Sequence, residues 1–248
     1  MNIYDILPKP DLFSFKHVLC VQPHPDDNEI GAGATIALMA QKGIKISYLT
    51  ISKGKGGTNV MSSQELVKQR QNELRAAGEV LGATYFEQLD LSDAHYPNER
   101  TLTEHIVEVI RRLKPDLLLT IDPHLPYEAH PTHRNTGMGV LDASLFASMK
   151  HFPTPDGVNS PPHQVAAIAF YATAQPNTLV DVSTSFDLKL QAIRKHASQF
   201  NETEFNELAT YLRFRASLDG ATLGVALAER FKVLPIALTH MMVESQEY

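Results

Sequence analysis

The chain of 248 residues has no tryptophan and one cysteine, Cys20. A single thiol excludes an internal disulfide and a cysteine-rich metal site. Its place in the apolar run Val18-Leu19-Cys20-Val21 makes it a core thiol rather than a nucleophile. Basic clusters are also missing. The formal net charge is -6, with 22 Lys and Arg against 28 Asp and Glu, which argues against a nucleic-acid footprint. The most apolar windows, Ile30 to Ala40 and Val165 to Ala174, are too short to span a bilayer. Met1 to Phe15 lacks the basic start and apolar stretch of a secretory signal. These absences predict a cytoplasmic protein with no nucleic-acid or membrane partner. The length suits one domain, 1–248, able to bury a sizeable core. No repeat, low-complexity run or linker divides it.

Against this background, apolar strand-like runs alternate with helical patterns through the first half, the signature of a parallel sheet. The pattern predicts strands at 18–21, 44–51, 84–89, 116–121, 165–171 and 179–182. Helices are predicted at 30–40, 63–81, 102–113, 135–149, 186–200 and 202–218. The expected fold class is α/β, a Rossmann-like three-layer sandwich with a mostly parallel central sheet. Gly31-Ala32-Gly33 is not a dinucleotide fingerprint, because Ile36 holds the third glycine position and no acidic residue ends the second strand. Lys53 to Thr58 is not a P-loop, since its lysine and glycines come in the wrong order. Its glycines suit a mobile rim beside a site.

Two strand-end loops concentrate histidine and carboxylate. The first is Pro23-His24-Pro25-Asp26-Asp27-Asn28-Glu29 and the second runs from Asp122 to Arg134. Crowding carboxylates there costs solvation unless a cation balances them. His24 and Asp27, three apart, can aim at one point, and both are ordinary zinc ligands. A mononuclear catalytic site needs a third ligand, and the second loop offers several. A polar turn with an N-cap Asp explains either loop alone. The pair of loops favours a metal.

The first loop resembles the PHPDD or AHPDDE motif of the LmbE/PIG-L deacetylases, zinc enzymes that remove acetyl from N-acetylglucosamine units. Arg70-Gln71-Asn72-Glu73 resembles the family's R-x-x-E helix, and His130-Pro131-Thr132-His133-Arg134 its HPDHR motif. Val180 to Ser183 with Lys189, Ala192, Ile193 and Ser198-Gln199-Phe200 is similar to its VDIT…K…AI…H.SQF segment. The likeness runs from about His17 to Gly224. Asp122-Pro123 with Leu125-Pro126-Tyr127-Glu128 leans toward the chitobiose-deacetylase branch.

The resemblance implies His24, Asp27 and His133 as metal ligands, a set that suits Zn2+ and also Fe2+. It implies Asp26 as general base, a carboxylate beside a ligand yet spare. His130, three residues from His133, is implied to hold the developing oxyanion and protonate the leaving amine. Arg70 and Asp93 match positions that bind the sugar; a solvated helix charge and a turn cap are their plain alternatives. Thr132 stands where the family has Asp, so His130 is expected to titrate lower unless Asp122 supplies the missing charge. The tail, Leu234 to Tyr248, carries His240 among apolar residues and suggests a homo-oligomer in which it closes over a site. Three functions stay open: an N-deacetylase for N-acetylglucosamine or short chitin oligomers, a metal hydrolase of another amide or ester, and a ligand-binding protein with an impaired site.

Overall fold

A computed structural model of the chain describes residues 3–57, 61–91, 99–157, 160–246 and 248. The sheet is built from β1 (His17–Gln22), β2 (Lys45–Thr50), β3 (Tyr85–Gln88), β4 (Leu117–Ile121), β5 (Ala167–Tyr171), β6 (Thr178–Asp181) and β7 (Ala228–Pro235). Its seven strands follow the order β3-β2-β1-β4-β5-β7-β6. The first five strands run parallel, while β7 is antiparallel to both β5 and β6. The helices are α1 (Ile3–Ile6), α2 (Asp27–Gln41), α3 (Ser63–Val80), α4 (Glu99–Leu113), α5 (Pro131–Phe146), α6 (Phe186–Ile193) and α7 (Glu202–Leu223). The expected α/β sandwich forms.

Strand alternation divides the core into two layers. Val18 and Cys20 of β1 point to the side covered by α2, α3, α6 and α7, where Ile36, Leu74, Phe186 and Phe205 pack. Leu19 and Val21 point to the other, against Ile106 and Ile110 of α4 and Val140 of α5. Both faces of the central strands are therefore apolar, which is why these strands read as continuous hydrophobic runs. Cys20 is fully buried, as a core thiol should be. No helix among the described residues is long and apolar enough to cross a membrane.

Local chemistry sets the helix ends. Ser62 and Glu65 form a reciprocal capping box at the start of α3, and Asn201 and Glu204 form one at the start of α7. Gly224, with φ of 77°, ends α7 in the left-handed conformation, five residues later than the apolar pattern suggested. α2 and α5 begin earlier than predicted. Asp27 is already helical, and Pro131 pre-sets the first turn of α5, so both histidine-bearing loops flow straight into helices. α6 stops at Ile193, and residues 194–200 form turns rather than more helix.

β7 is a strand that sequence patterning did not predict. Its charged residues interrupt the apolar pattern, yet Glu229 is 5% exposed and Lys232 9%. Glu229 is buried because it is fully partnered. Its carboxylate accepts from Lys189 Nζ at 2.6 Å and from the backbone N–H groups of Ala34 and Thr35 at 3.3 and 2.8 Å. The C-terminal segment folds partly onto its own chain. Leu238 and Tyr248 are buried, and Tyr248 Oη donates to Leu7 O at 2.9 Å. His240, Met241, Met242 and Val243 remain exposed.

Candidate active site

β1 connects to β2 on one side while β4 lies on its other side, so their carboxyl ends flank the point where the strand order reverses. Open α/β sheets bind ligands there. The two polar loops meet at this point because they leave β1 and β4. His24, Asp26, Asp27, His130, His133 and Arg70 line one cleft of about 320 Å³ with Gln199 and the glycines 54, 56 and 57.

Within it, one donor atom from each of His24, Asp27 and His133 lies within 4.8 Å of the others. His24 Nδ1 stands 3.3 Å from Asp27 Oδ2, and His133 Nε2 stands 3.6 Å from Asp27 Oδ1. With metal–ligand bonds of about 2.0–2.1 Å, tetrahedral neighbours sit roughly 3.3–3.4 Å apart. The spacing and the neutral-nitrogen, carboxylate donor set fit a divalent ion. His133 Nδ1 is buried without a hydrogen-bond partner and lies 3.5 Å from Glu128 Oε2. A carboxylate behind a histidine ligand fixes the ring and its tautomer. The sequence offered Glu128 only as part of the Leu125-Pro126-Tyr127-Glu128 motif and gave it no role, because an acidic residue five positions before a histidine is too common to single out.

Asp26 is the N-cap of α2, yet its side chain makes no cap hydrogen bond. Its φ of 132° is a strained value for a residue with a Cβ. That backbone turns the carboxylate to Arg70, whose Nη2 donates to Asp26 Oδ2 at 3.0 Å and to Pro25 O at 2.7 Å. Arg70 is 3% exposed, so the solvated-charge alternative is excluded. Burial, and then the charge of Asp27, push the Asp26 carboxyl up to about 7, against the opposing pull of Arg70, His196 and His24. Burial also opposes ionisation of Asp27. There hydrogen bonding from His24 and the nearness of His133 outweigh it and hold the carboxyl below its usual range.

His130 caps the start of α5, its backbone N–H donating to Glu128 Oε1 at 2.7 Å. Its ring stacks on His133 at 4.7 Å between centroids and meets His24 edge-on at 4.7 Å. The N-termini of α2 and α5 thus both open onto the cleft, where their dipoles favour negative charge. Beneath it, His196 is fully buried with Nε2 3.6 Å from Glu29 Oε2. Burial lowers the His196 imidazole, but Glu29 with Asp26 and Glu73 outweighs this and raises it overall. His196 is thus an interior charge partner of Glu29.

The glycine loop is a closely packed rim. A Cβ on Gly54 would fall 2.1 Å from Arg70 Nη1, and one on Gly57 would fall 2.6 Å from Gln199 Oε1. Glu73 holds the turn that carries Gln199, accepting from Ser198 N at 2.9 Å and Ser198 Oγ at 2.6 Å. The sequence placed Glu73 and Gln199 in family-like motifs but gave neither a role, since only folding brings 73 and 198 together. Asp122 lines a different cavity, with His124 and Lys232. Thr132 is buried in the first turn of α5, and neither it nor His240 lines the cleft. Asp93 lies outside the described residues.

An open, mostly parallel α/β sheet with a candidate metal triad and a spare buried carboxylate at its switch point sets the protein in the class of Rossmann-like α/β enzymes. Within that class, the chain belongs to the PIG-L family, described as GlcNAc-PI de-N-acetylase, whose profile matches residues 19–144. It is 38% identical over 229 residues to the diacetylchitobiose deacetylase of Thermococcus kodakarensis, covering 91% of this chain and 86% of that one. The structure of an N,N'-diacetylchitobiose deacetylase from Pyrococcus horikoshii superposes with a TM-score of 0.87 at 32% identity, covering 92% of this chain and 87% of that one. A 4-oxalmesaconate hydratase of Pseudomonas putida is 27% identical over 203 residues, covering 77% of this chain and 76% of that one.

Proposed function

We propose that the chain is a zinc-dependent hydrolase that removes the acetyl group from N-acetylglucosamine-type sugars, including short chitin oligosaccharides. The observation that carries this reading is Asp26, a buried carboxylate beside the triad, outside its ligand set and held by Arg70. His24, Asp27 and His133 would hold the ion, which when bound polarises the amide carbonyl and makes water a stronger nucleophile near neutral pH.

The remaining work falls to side chains. Asp26 takes a proton from the attacking water, a role for which a carboxyl titrating near neutrality is suited. His130, exposed at the rim and stacked on His133, donates to the developing oxyanion and then to the leaving amine. The two helix N-termini add to the stabilisation of that negative charge. Arg70 orients Asp26 from behind, and with Asp93 it is the proposed contact for sugar hydroxyls.

Acetate release from N-acetylglucosamine and its dimer, with and without chelator, tests the reading. Release that chelation abolishes is expected. No acetate from either sugar, alongside hydration of an unsaturated dicarboxylic acid, would move the chain to the hydratase side of its relatives.

Arg70 yields a pH prediction. Its charge lowers the pKa of Asp26, and a general base must be deprotonated to work. Arg70→Gln should therefore make Asp26 hold its proton more tightly and move the acid limb of kcat/KM to higher pH. An acid limb unchanged in the variant would remove Asp26 as the group that the limb reports.

The proposal includes a single-domain, cytoplasmic enzyme that self-associates. Cys20 is its only cysteine, and Met241 and Val243 are 93% and 85% exposed beside His240. Exposed apolar side chains in one short turn suit contact with a second copy. Light scattering should give a mass above 27.5 kDa; a monomer at working concentration removes this part of the proposal.

A further inference from the structure

Tyr127 lies on the loop between β4 and α5 and is completely exposed, at 101%. Its φ is 66°, in the left-handed region that a residue with a Cβ enters only at a cost. The loop around it is well tied. Glu128 N donates to Leu125 O at 3.2 Å, and the Glu128 carboxylate accepts from His130 N and faces His133 Nδ1 at 3.5 Å. The Arg134 guanidinium donates to Glu128 O. A strained backbone held this firmly displays the phenol ring one residue away from the side chain that holds the His130 backbone and faces the His133 ring.

Among the described residues, no apolar side chain lines the cleft. Its lining is carboxylate, imidazole, guanidinium, amide and glycine. Such a lining can hydrogen-bond sugar hydroxyls, but it cannot cover the apolar C–H face of a pyranose. An exposed aromatic ring can, combining a flat hydrophobic surface with a polar tip. Successive α-carbons are about 3.8 Å apart, so Tyr127 lies within a few residue lengths of exposed His130. It stands on the loop that carries this rim of the cleft, outside the residues that line it.

We propose that Tyr127 is a stacking platform for the sugar unit next to the one that loses its acetyl group, and that it selects oligosaccharides over the monosaccharide. This rests on the amino-sugar reading above and adds to it a specificity-determining residue.

The lack of tryptophan makes a direct test available, because Tyr127→Trp introduces the sole indole of the chain. The zinc-loaded protein would carry Asp26→Asn as well, so that sugars stay intact. Heat of binding and tryptophan emission are followed while N,N'-diacetylchitobiose or N-acetylglucosamine is added. The disaccharide should shift emission to the blue, whereas the monosaccharide should give binding heat without a shift. Tyr127→Ala should weaken the disaccharide by about threefold to tenfold, the worth of one aromatic contact, and leave the monosaccharide unchanged. Disaccharide heat without an emission change, or equal weakening of both sugars, would overturn the platform. So would emission that is already blue without sugar and varies with protein concentration, since the ring would then be covered by a second copy. No heat from either sugar, in the parent as well, would overturn the amino-sugar reading itself and the platform with it.

Discussion

Asp26→Asn should leave the protein folded and metal-loaded but lower its turnover by roughly 10²–10⁴-fold, the usual contribution of a general base. Asparagine nearly matches aspartate in shape and keeps an oxygen that can accept from Arg70 Nη2, so the strained turn at residue 26 retains its partner. What disappears is the capacity to take a proton. Metal analysis and acetate release on the same sample separate the two effects, and an unchanged rate would give the base role to another residue. The pH profile of the parent supplies a second check. Burial and the charge of Asp27 hold the Asp26 carboxyl at about 7 against the pull of Arg70, so the base is inactive where it is protonated, on the acid side. A cation held next to it favours the carboxylate and lowers that limb. An acid limb well above 7 in the zinc-loaded protein would contradict the assignment.

His24→Ala should abolish metal retention altogether. Three protein ligands are the minimum for a catalytic zinc site, and removing one leaves a carboxylate and an imidazole that share no third donor. His24 also offsets the burial of Asp27, so its loss makes that carboxylate costlier to keep ionised. The effect should appear without any activity assay. Zinc at 100 times its dissociation constant stabilises the parent by about 2.7 kcal/mol through binding alone, and it should raise the melting temperature of the parent but not of the variant. Equal metal content after dialysis in the two proteins would sink the ligand assignment.

Much of this arrangement could be read before the fold was known. Alternating apolar runs and helical patterns dictated a parallel α/β sheet, because strands buried on both faces must be apolar throughout. The fully buried position of Cys20 followed from its neighbours. His24 and Asp27 could be paired because three residues of chain bring them together locally, and the structure places their donor atoms 3.3 Å apart.

Other features had no local signature. β7 was missed because its strand pattern is interrupted by Glu229, Arg230 and Lys232. Glu229 and Lys232 are buried and Arg230 half-buried because of partners such as Lys189, Asp219 and the backbone of Gln246, which are distant or out of register in sequence. Arg70 read equally as a sugar contact or a solvated charge on α3, and only the fold set it 3.0 Å from a carboxylate 44 positions earlier. Glu128 gained a role only when the turn before α5 aimed it at His133. Periodicity and short spacings report what one stretch of chain can do by itself. Which charge neutralises which across a buried site depends on elements far apart in sequence, and only packing, by removing water, makes those pairings obligatory.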